Sequence, residues 1–201
     1  MSVKSAVFVK SSTGYQQCPE EKMPEYAFIG RSNVGKSSLI NKVCNKLKLA
    51  KTSSTPGKTQ LINHFLINEE WYLVDLPGYG FAKVPIKIKK KWEMLITTYL
   101  LNRKNLMNIF VLIDSRHKPL QIDLDFMENL AERQLPFSIV FTKADKNKKR
   151  ALELNMKHYK KALEESWEEL PPMIITSAEK GDGAEEILES IIASNQLFVR
   201  P

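Results

Sequence analysis

The chain has 201 residues, of which 43% are hydrophobic and 26% are charged, a length and balance that suit one globular domain over residues 1–201. Its two cysteines lack metal-ligand pairing, and it shows neither a secretory leader nor an apolar run of membrane-spanning length. These features exclude secreted, metal-cluster and membrane-spanning classes and predict a cytoplasmic protein that binds no membrane, with a formal net charge of +7.

Apolar segments of strand length alternate with segments of helical period along the chain. Strands are predicted at "SAVFVK", "YAFIG", "INHFLIN", "WYLVDLPG", "NIFVLID", "FSIVFTKAD" and "PMIITSA". Helices are predicted at Ser37 to Leu49, Lys89 to Leu106, Leu120 to Glu132, Lys148 to Leu170 and Ala184 to Asn195. This alternation predicts an α/β fold with a mixed, mostly parallel sheet and helices on both faces. The third and fourth strands, separated only by "NEE", are predicted to form one antiparallel hairpin.

Polar residues or glycine stand at the ends of five predicted strands, namely Gly30, Asp75, Asp114, Thr142 and Thr176. In an open α/β sheet, ligands bind beyond the carboxyl ends of the strands. We therefore expect the loops after these residues to meet on one rim and to form the binding site.

The first rim loop, "GRSNVGKS" from Gly30 to Ser37, matches the G-x-x-x-x-G-K-[ST] phosphate loop between a strand and a helix. Its glycines let backbone N–H groups face phosphate oxygens, and the following helix adds its dipole. Lys36 is expected to reach the β- and γ-phosphates, and the Ser37 hydroxyl to ligate Mg²⁺. The alternative, a glycine-rich turn without a ligand, is disfavoured by this context.

Three further rim loops complete a nucleotide site. After "WYLVD", Asp75 is expected to hold the outer shell of Mg²⁺, and the N–H of Gly78 to contact a γ-phosphate. In "FTKAD", the Asp145 carboxylate can accept both the N1–H and the amino group of guanine, a donor pair that adenine lacks. Thr142 can brace this loop, and the Lys143 stem can cover the base. "TSA", Thr176 to Ala178, suits the guanine O6, so GTP and GDP are predicted over ATP.

The segment "KTSSTPGKTQLINHF" must supply the remaining Mg²⁺ ligand if the protein is a nucleotide-sensing switch. Spacing leaves several hydroxyls open, those of Thr52, Ser53, Ser54, Thr55 and Thr59. An ordinary surface loop is the alternative to a switch.

The motifs "GRSNVGKSSLIN", "TPGKTQLINHF", "VDLPGYGFAKV", "DSRHKP" and "FTKADK" resemble, in this order and over nearly the whole chain, the EngB group of bacterial GTPases in the Era-like branch of P-loop proteins. The resemblance implies a monomeric, single-domain GTPase with a nucleotide-binding core at about residues 24–195, acting in assembly of the large (50S) ribosomal subunit and needed for normal cell division and septation. It selects Thr59 as the second Mg²⁺ ligand beside Ser37, and catalysis is expected from Lys36, Thr59 and Gly78. It assigns GTP contacts to Gly30, Arg31, Ser32, Asn33, Val34, Gly35, Lys36, Ser37, Gly57, Lys58, Thr59, Gln60, Leu61, Asp75, Leu76, Pro77, Gly78, Thr142, Lys143, Ala144, Asp145, Thr176, Ser177 and Ala178.

Two residues bear on the rate of hydrolysis. Tyr79 stands where Ras-like enzymes carry a water-orienting glutamine, so slow intrinsic hydrolysis is expected. In related GTPases an asparagine at the position of Asn33 can ligate K⁺, which would neutralise developing charge. K⁺-stimulated hydrolysis is therefore a hypothesis, and a role of Asn33 in shaping the loop is the alternative.

Basic blocks at Lys42 to Lys58, Lys83 to Lys91 and "KADKNKKR" indicate a polyanionic partner, although any one block would also suit a solvated surface. The second block directly follows the γ-phosphate-sensing loop, so contact with ribosomal RNA is expected from Lys83, Lys87, Lys89, Lys90 and Lys91. Two other functions stay open. A P-loop kinase or ATPase would not need Asp145, and a nucleotide-dependent binding module of the division machinery would hydrolyse GTP negligibly.

Overall fold

A computed structural model describes residues 2–51, 60–80 and 85–201 of the chain. Within these residues it contains seven β-strands and five α-helices. The strands are β1 (Ala6–Ser12), β2 (Glu25–Gly30), β3 (Ile62–Ile67), β4 (Trp71–Asp75), β5 (Leu106–Asp114), β6 (Phe137–Thr142) and β7 (Met173–Ile175). The helices are α1 (Lys36–Val43), α2 (Ile86–Asn102), α3 (Gln121–Glu132), α4 (Lys149–Glu164) and α5 (Ala184–Asn195).

All the strands and helices predicted from the sequence are present, but the bounds of three helices differ. Helix α1 ends at Val43 instead of Leu49, because the Asn41 side chain exchanges hydrogen bonds with the backbone of Ala50 and turns the chain back. Helix α2 begins before Lys89 and ends at Asn102, so that Leu106 starts β5. Helix α4 ends at Glu164 instead of Leu170.

The seven strands form one sheet in the order β1-β3-β4-β2-β5-β6-β7. The predicted antiparallel hairpin is confirmed, since β3 and β4 pair through residues 63–67 and 71–75. Strand β1 also pairs antiparallel to β3, at the edge of the sheet, which the sequence pattern did not indicate. The pairs β4–β2, β2–β5, β5–β6 and β6–β7 are parallel, so the mixed, mostly parallel sheet is confirmed.

Helices cover both faces of the sheet. Along β2, Tyr26 and Phe28 pack on the face that carries α1 and α5, whereas Ala27 and Ile29 pack on the face that carries α2, α3 and α4. All four side chains are fully buried. Strands buried on both faces read as continuous apolar runs, which is why "YAFI" and "IFVLI" are recognisable in the sequence.

The parallel strands β2, β4, β5, β6 and β7 bring their carboxyl ends to the same edge of the sheet. Gly30, Asp75, Asp114 and Thr142 are the last residues of their strands, and Thr176 directly follows β7. None of the described helices is long and apolar enough to cross a membrane.

Candidate functional site

The loop between β2 and α1 has the backbone geometry of a phosphate loop. A Cβ atom on Gly30 would lie 2.7 Å from the carbonyl oxygen of Leu112, so only glycine fits beside β5. Gly35 has φ 104°, in the left-handed region that glycine adopts without strain. Asn33 also has a positive φ of 61°, and α1 begins at Lys36. The loop therefore turns directly into a helix N-terminus, which favours anions.

Lys36 and Asp75 meet at the centre of this rim. The Lys36 ammonium contacts Oδ1 of Asp75, and both side chains are buried. Ser37, the next residue of α1, is half-buried. A cation, a carboxylate and a hydroxyl thus lie together where the sequence places the β- and γ-phosphates and Mg²⁺.

The side chains of Thr142 and Lys143 brace the phosphate loop from β6. The Thr142 hydroxyl donates to the carbonyl of Val34 at 2.6 Å, and the Lys143 ammonium donates to the carbonyl of Asn33 at 2.6 Å. Lys143 also contacts Asp114 Oδ2 at 2.9 Å. Although burial opposes ionisation of Asp114, hydrogen bonds from Arg116 and Lys143 prevail and hold its pKa well below the usual range. Two hydrogen bonds therefore join the phosphate loop directly to the residues that are predicted to bind the base.

A cleft of about 340 Å³ opens between the phosphate loop and the loops after β6 and β7, within the size range of ligand pockets. Asp145 lines it, and its Oδ1 accepts a hydrogen bond from the Ser177 hydroxyl at 2.7 Å. This hydrogen bond is the main reason why the pKa of Asp145 is lowered, so the carboxylate is ionised. An ionised carboxylate is what the predicted contact with the N1–H and the amino group of guanine requires. The other lining residues are Gly35, Ser38, Leu39, Thr142, Lys143, Lys146, Thr176, Ala178 and Glu179.

Four of these lining residues were not expected from the sequence: Ser38, Leu39, Lys146 and Glu179. Lys146 and Glu179 form an ion pair of 2.5 Å across the mouth of the cleft, and Lys146 also contacts Asp145 Oδ2 at 3.1 Å. In the sequence, only their position next to predicted site residues could have indicated them, since Lys146 follows Asp145 and Glu179 follows Ala178.

The loop after β4 is buried from Leu76 through Tyr79. The Tyr79 ring stacks on Phe126 of α3, with centroids 4.2 Å apart and 14° between the planes. Its hydroxyl donates to Asp123 Oδ1 at 2.9 Å. Tyr79 is therefore fixed against α3 and is not available to orient a water at a phosphate.

Several predicted residues lie outside the described part of the chain. These are Thr52, Ser53, Ser54, Thr55, Gly57, Lys58, Thr59 and Lys83. Gln60 is exposed and Leu61 half-buried just before β3. The phosphate-loop residues Arg31 and Ser32 are half-buried, Pro77 and Gly78 are buried beside Asp75, and Ala144 is half-buried beside Asp145.

Comparison with known proteins defines the class. Residues 25–143 match the model of a family described as 50S ribosome-binding GTPase. A crystal structure of a probable GTP-binding protein engB has the same fold, with a TM-score of 0.69 and 24% identity over 87% of this chain and 100% of that one. The crystal structure of Era in complex with MgGDPNP and a segment of 16S ribosomal RNA also has this fold. Its TM-score is 0.68 and its sequence identity 21%, over 86% of this chain and 57% of that one. Fold and phosphate loop together define a P-loop GTPase, and the predicted hydrolysis of GTP to GDP and phosphate is consistent with this class.

Closer relatives narrow the class. The probable GTP-binding protein EngB of Porphyromonas gingivalis is 55% identical over 196 residues, 98% of both chains. That of Phocaeicola vulgatus is 56% identical over the same shares, and that of Bacteroides thetaiotaomicron 56% identical over 95% of both. The chain belongs to the EngB family of GTP-binding proteins.

Proposed function

We propose that this GTPase is a nucleotide-dependent switch that acts in assembly of the large ribosomal subunit, and that normal cell division and septation depend on it. It would act in the cytoplasm as a monomer of one domain. The matching family's description names the 50S subunit, which supports this partner. The observation that carries the proposal is a lysine-rich surface on α2, the first helix after the γ-phosphate-sensing loop.

This surface combines Lys87, Lys90 and Lys91, which are all exposed. Lys90 and Lys91 follow Lys87 by three and four residues, so both lie next to it on one side of α2. Lys89 is half-buried and lies 3.7 Å from Glu93, which leaves it less free. The first turn of α2 contains no acid. Lys87, which lies in this turn, opposes the helix dipole and costs stability, and Lys90 and Lys91 are exposed. Packing therefore explains none of the three lysines, whereas binding of RNA phosphates does.

The residues of the rim fit a Mg²⁺–GTP complex. No group of three or more His, Cys, Asp or Glu capable of holding a metal occurs among the described residues, so the ion would depend on phosphate oxygens together with a few protein oxygens. The Ser37 hydroxyl and the Asp75 carboxylate are hard oxygen donors of the kind that Mg²⁺ prefers, and Thr59 would add a second hydroxyl. When bound, Mg²⁺ supplies neutralisation of phosphate charge.

Each residue of the site then has a separate task. Lys36 binds the β- and γ-phosphates, and the N–H of Gly78 orients the γ-phosphate. Asp145 selects guanine, with Ser177 holding its carboxylate in place. The Tyr79 hydroxyl is hydrogen-bonded to Asp123 of α3. No side chain at this position therefore orients the attacking water, and intrinsic hydrolysis is slow. A K⁺ ion at Asn33 would accelerate it.

Charge reversal on α2 tests the proposal. Changing Lys87, Lys90 and Lys91 together to glutamate should abolish co-sedimentation with large ribosomal subunits and leave GDP affinity within about twofold, because RNA contact is dominated by phosphate charge. A matched control changes Lys157, Lys160 and Lys161, exposed lysines of α4, to glutamate. Equal subunit binding by the α2 variant and the unmodified protein would refute the role of this surface.

A further inference from the structure

A buried carboxylate lies under the loop that follows Gly78. Asp123 belongs to the first turn of α3 and has no exposed surface. Its Oδ1 accepts the hydrogen bond from the Tyr79 hydroxyl at 2.9 Å and faces Arg31 Nε at 3.2 Å. A single oxygen therefore contacts both the phosphate loop and the residue next to Gly78.

The backbone reinforces this connection. Residues Arg31 and Tyr79 form a parallel β-bridge, and the N–H of Tyr79 donates to the carbonyl of Gly30 at 3.4 Å. With its ring stacked on Phe126, Tyr79 is held on one side by the end of β2 and on the other by α3. The start of this loop thus continues the parallel pairing of β4 with β2.

Packing alone does not explain an acid at this position. Oδ2 of Asp123 is buried and has no hydrogen-bond partner among the described residues. Burial raises the pKa of Asp123, against the charge of Arg31 and the hydrogen bond from Tyr79. Met127 and Leu130, which follow at helical spacing, are apolar and buried. A buried, partly satisfied carboxylate costs folding free energy that an apolar residue would not, and such groups concentrate at functional sites.

We propose that Asp123 is a positioning residue that holds Gly78 beside the phosphate loop, by way of Tyr79 and Arg31, before the γ-phosphate arrives. On the other side of Gly78, the N–H of Leu76 donates to the carbonyl of Phe28 at 3.1 Å, so β2 holds the chain on both sides of Gly78. Because this segment is ordered in advance, GTP binding loses less conformational entropy. GDP has no γ-phosphate and gains nothing from the arrangement. The inference rests on the proposed contact between Gly78 and the γ-phosphate.

The test compares the affinities for GDP and for a non-hydrolysable GTP analogue in four variants. Tyr79→Phe removes one hydroxyl and keeps the ring stacked, Asp123→Leu removes both oxygens, and Asp123→Asn keeps an acceptor at the Oδ1 position. Asp125→Leu is the matched control, because Asp125 is an exposed acid of the same helix. Thermal unfolding confirms that each variant is folded. If Asp123→Leu does not fold, the comparison rests on Tyr79→Phe.

Tyr79→Phe and Asp123→Leu should each lower the affinity for the GTP analogue by about tenfold and change the affinity for GDP by less than about threefold. Their combination should be no weaker than Asp123→Leu alone, since both act through one oxygen. Asp123→Asn should recover most of the loss, and Asp125→Leu should change neither affinity. Equal losses for GDP and the GTP analogue, or additive losses in the double variant, would overturn the proposal.

A Gly78→Pro variant removes the N–H that is proposed to contact the γ-phosphate, and thermal unfolding again confirms that the variant is folded. If Gly78→Pro lowers the ratio of GTP-analogue to GDP affinity while Tyr79→Phe and Asp123→Leu do not, the role of Asp123 is overturned and the γ-phosphate contact stands. If Gly78→Pro leaves the ratio unchanged, both are overturned.

Discussion

The buried pair of Lys36 and Asp75 sets the charge balance of the site. Each residue also has a proposed partner in the bound complex. Lys36 would contact the β- and γ-phosphates, and Asp75 would contact the outer coordination shell of Mg²⁺. Since a buried charge that loses its partner is costly, we propose that Lys36 and Asp75 leave each other only when the nucleotide and its metal bind together. Such an exchange would explain why two opposite charges are in direct contact at this site.

At the scale of single residues, the sequence indicated groups whose chemistry demands a fixed residue type. A phosphate loop needs its glycines, Lys36 and Ser37, and a guanine site needs a carboxylate such as Asp145. Lys146, Glu179 and Asp123 were missed, because their roles depend on partners distant in the chain. The buried position of Asp123 does have a sequence signal, since it lies on the same helical stripe as Met127.

Asn33 offers a prediction at this scale. Its amide is the proposed K⁺ ligand, while its positive φ is also natural for an asparagine that merely shapes the loop. Asn33→Gly keeps the left-handed backbone and removes the amide. We expect hydrolysis by the unmodified protein to be about tenfold faster in KCl than in NaCl, and Asn33→Gly to lose this difference.

Single-turnover GTP cleavage in the two salts measures the effect. The matched control is Asn45→Gly, at an exposed asparagine with φ 49° just beyond α1. It should retain the salt difference. Equal rates for the unmodified protein in KCl and NaCl would exclude the K⁺ hypothesis.

At the scale of elements, α2 is anchored to the sheet at its carboxyl-terminal end. The carboxylate of Glu25, at the start of β2, accepts hydrogen bonds from Tyr99 at 2.7 Å and from Arg103 Nε at 3.1 Å. His64 Nε2 lies 3.2 Å from the same carboxylate. The carboxyl-terminal end of α2 is thus fixed to the sheet at the edge opposite the phosphate loop, and its lysine-rich beginning follows, along the chain, the loop after β4.

This anchor predicts a dependence of stability on pH. Burial of Glu25 opposes ionisation, but hydrogen bonds and charges from His64 and Arg103 prevail and lower its pKa from 4.5 to about 2. A lowered pKa in the folded state stabilises the protein above pH 4.5, and this contribution is lost as pH falls from 4.5 toward 2. Glu25→Gln should therefore cost about 3 kcal/mol of unfolding free energy at pH 7 and much less near pH 2.

Urea unfolding at several pH values measures this cost. Glu128→Gln, an exposed glutamate of α3, serves as the control and should leave the curve unchanged. A constant cost of Glu25→Gln across the whole pH range would show that the carboxylate stabilises α2 without its ionisation.

The elements themselves were largely predictable, because apolar periodicity and buried strands leave strong local signals. Strand β1 was recognised, but its antiparallel pairing with β3 was not, since pairing partners are not encoded locally. Helix ends were the weakest prediction. The end of α1 depends on the side chain of Asn41 reaching Ala50, a contact that periodicity does not reveal.

At the scale of the whole molecule, charge is divided along the chain. Residues 164–189 contain nine acids and one base, while the rest of the chain carries a net +15. Three of these acids lie on α5, on the sheet face with α1, whereas Glu164 ends α4 and Trp167 packs, like α2, on the opposite face. Acids are therefore found on both faces, so we expect RNA to approach the lysine-rich beginning of α2 and not a whole face of the sheet.

We propose that the bound nucleotide decides whether the protein binds the large ribosomal subunit. Co-sedimentation with purified large subunits, in GDP and in a non-hydrolysable GTP analogue at the same salt concentration, tests it most directly. We expect the protein to pellet with subunits in the GTP analogue and to stay in the supernatant in GDP. Equal binding in both nucleotides, or binding in neither, would contradict it.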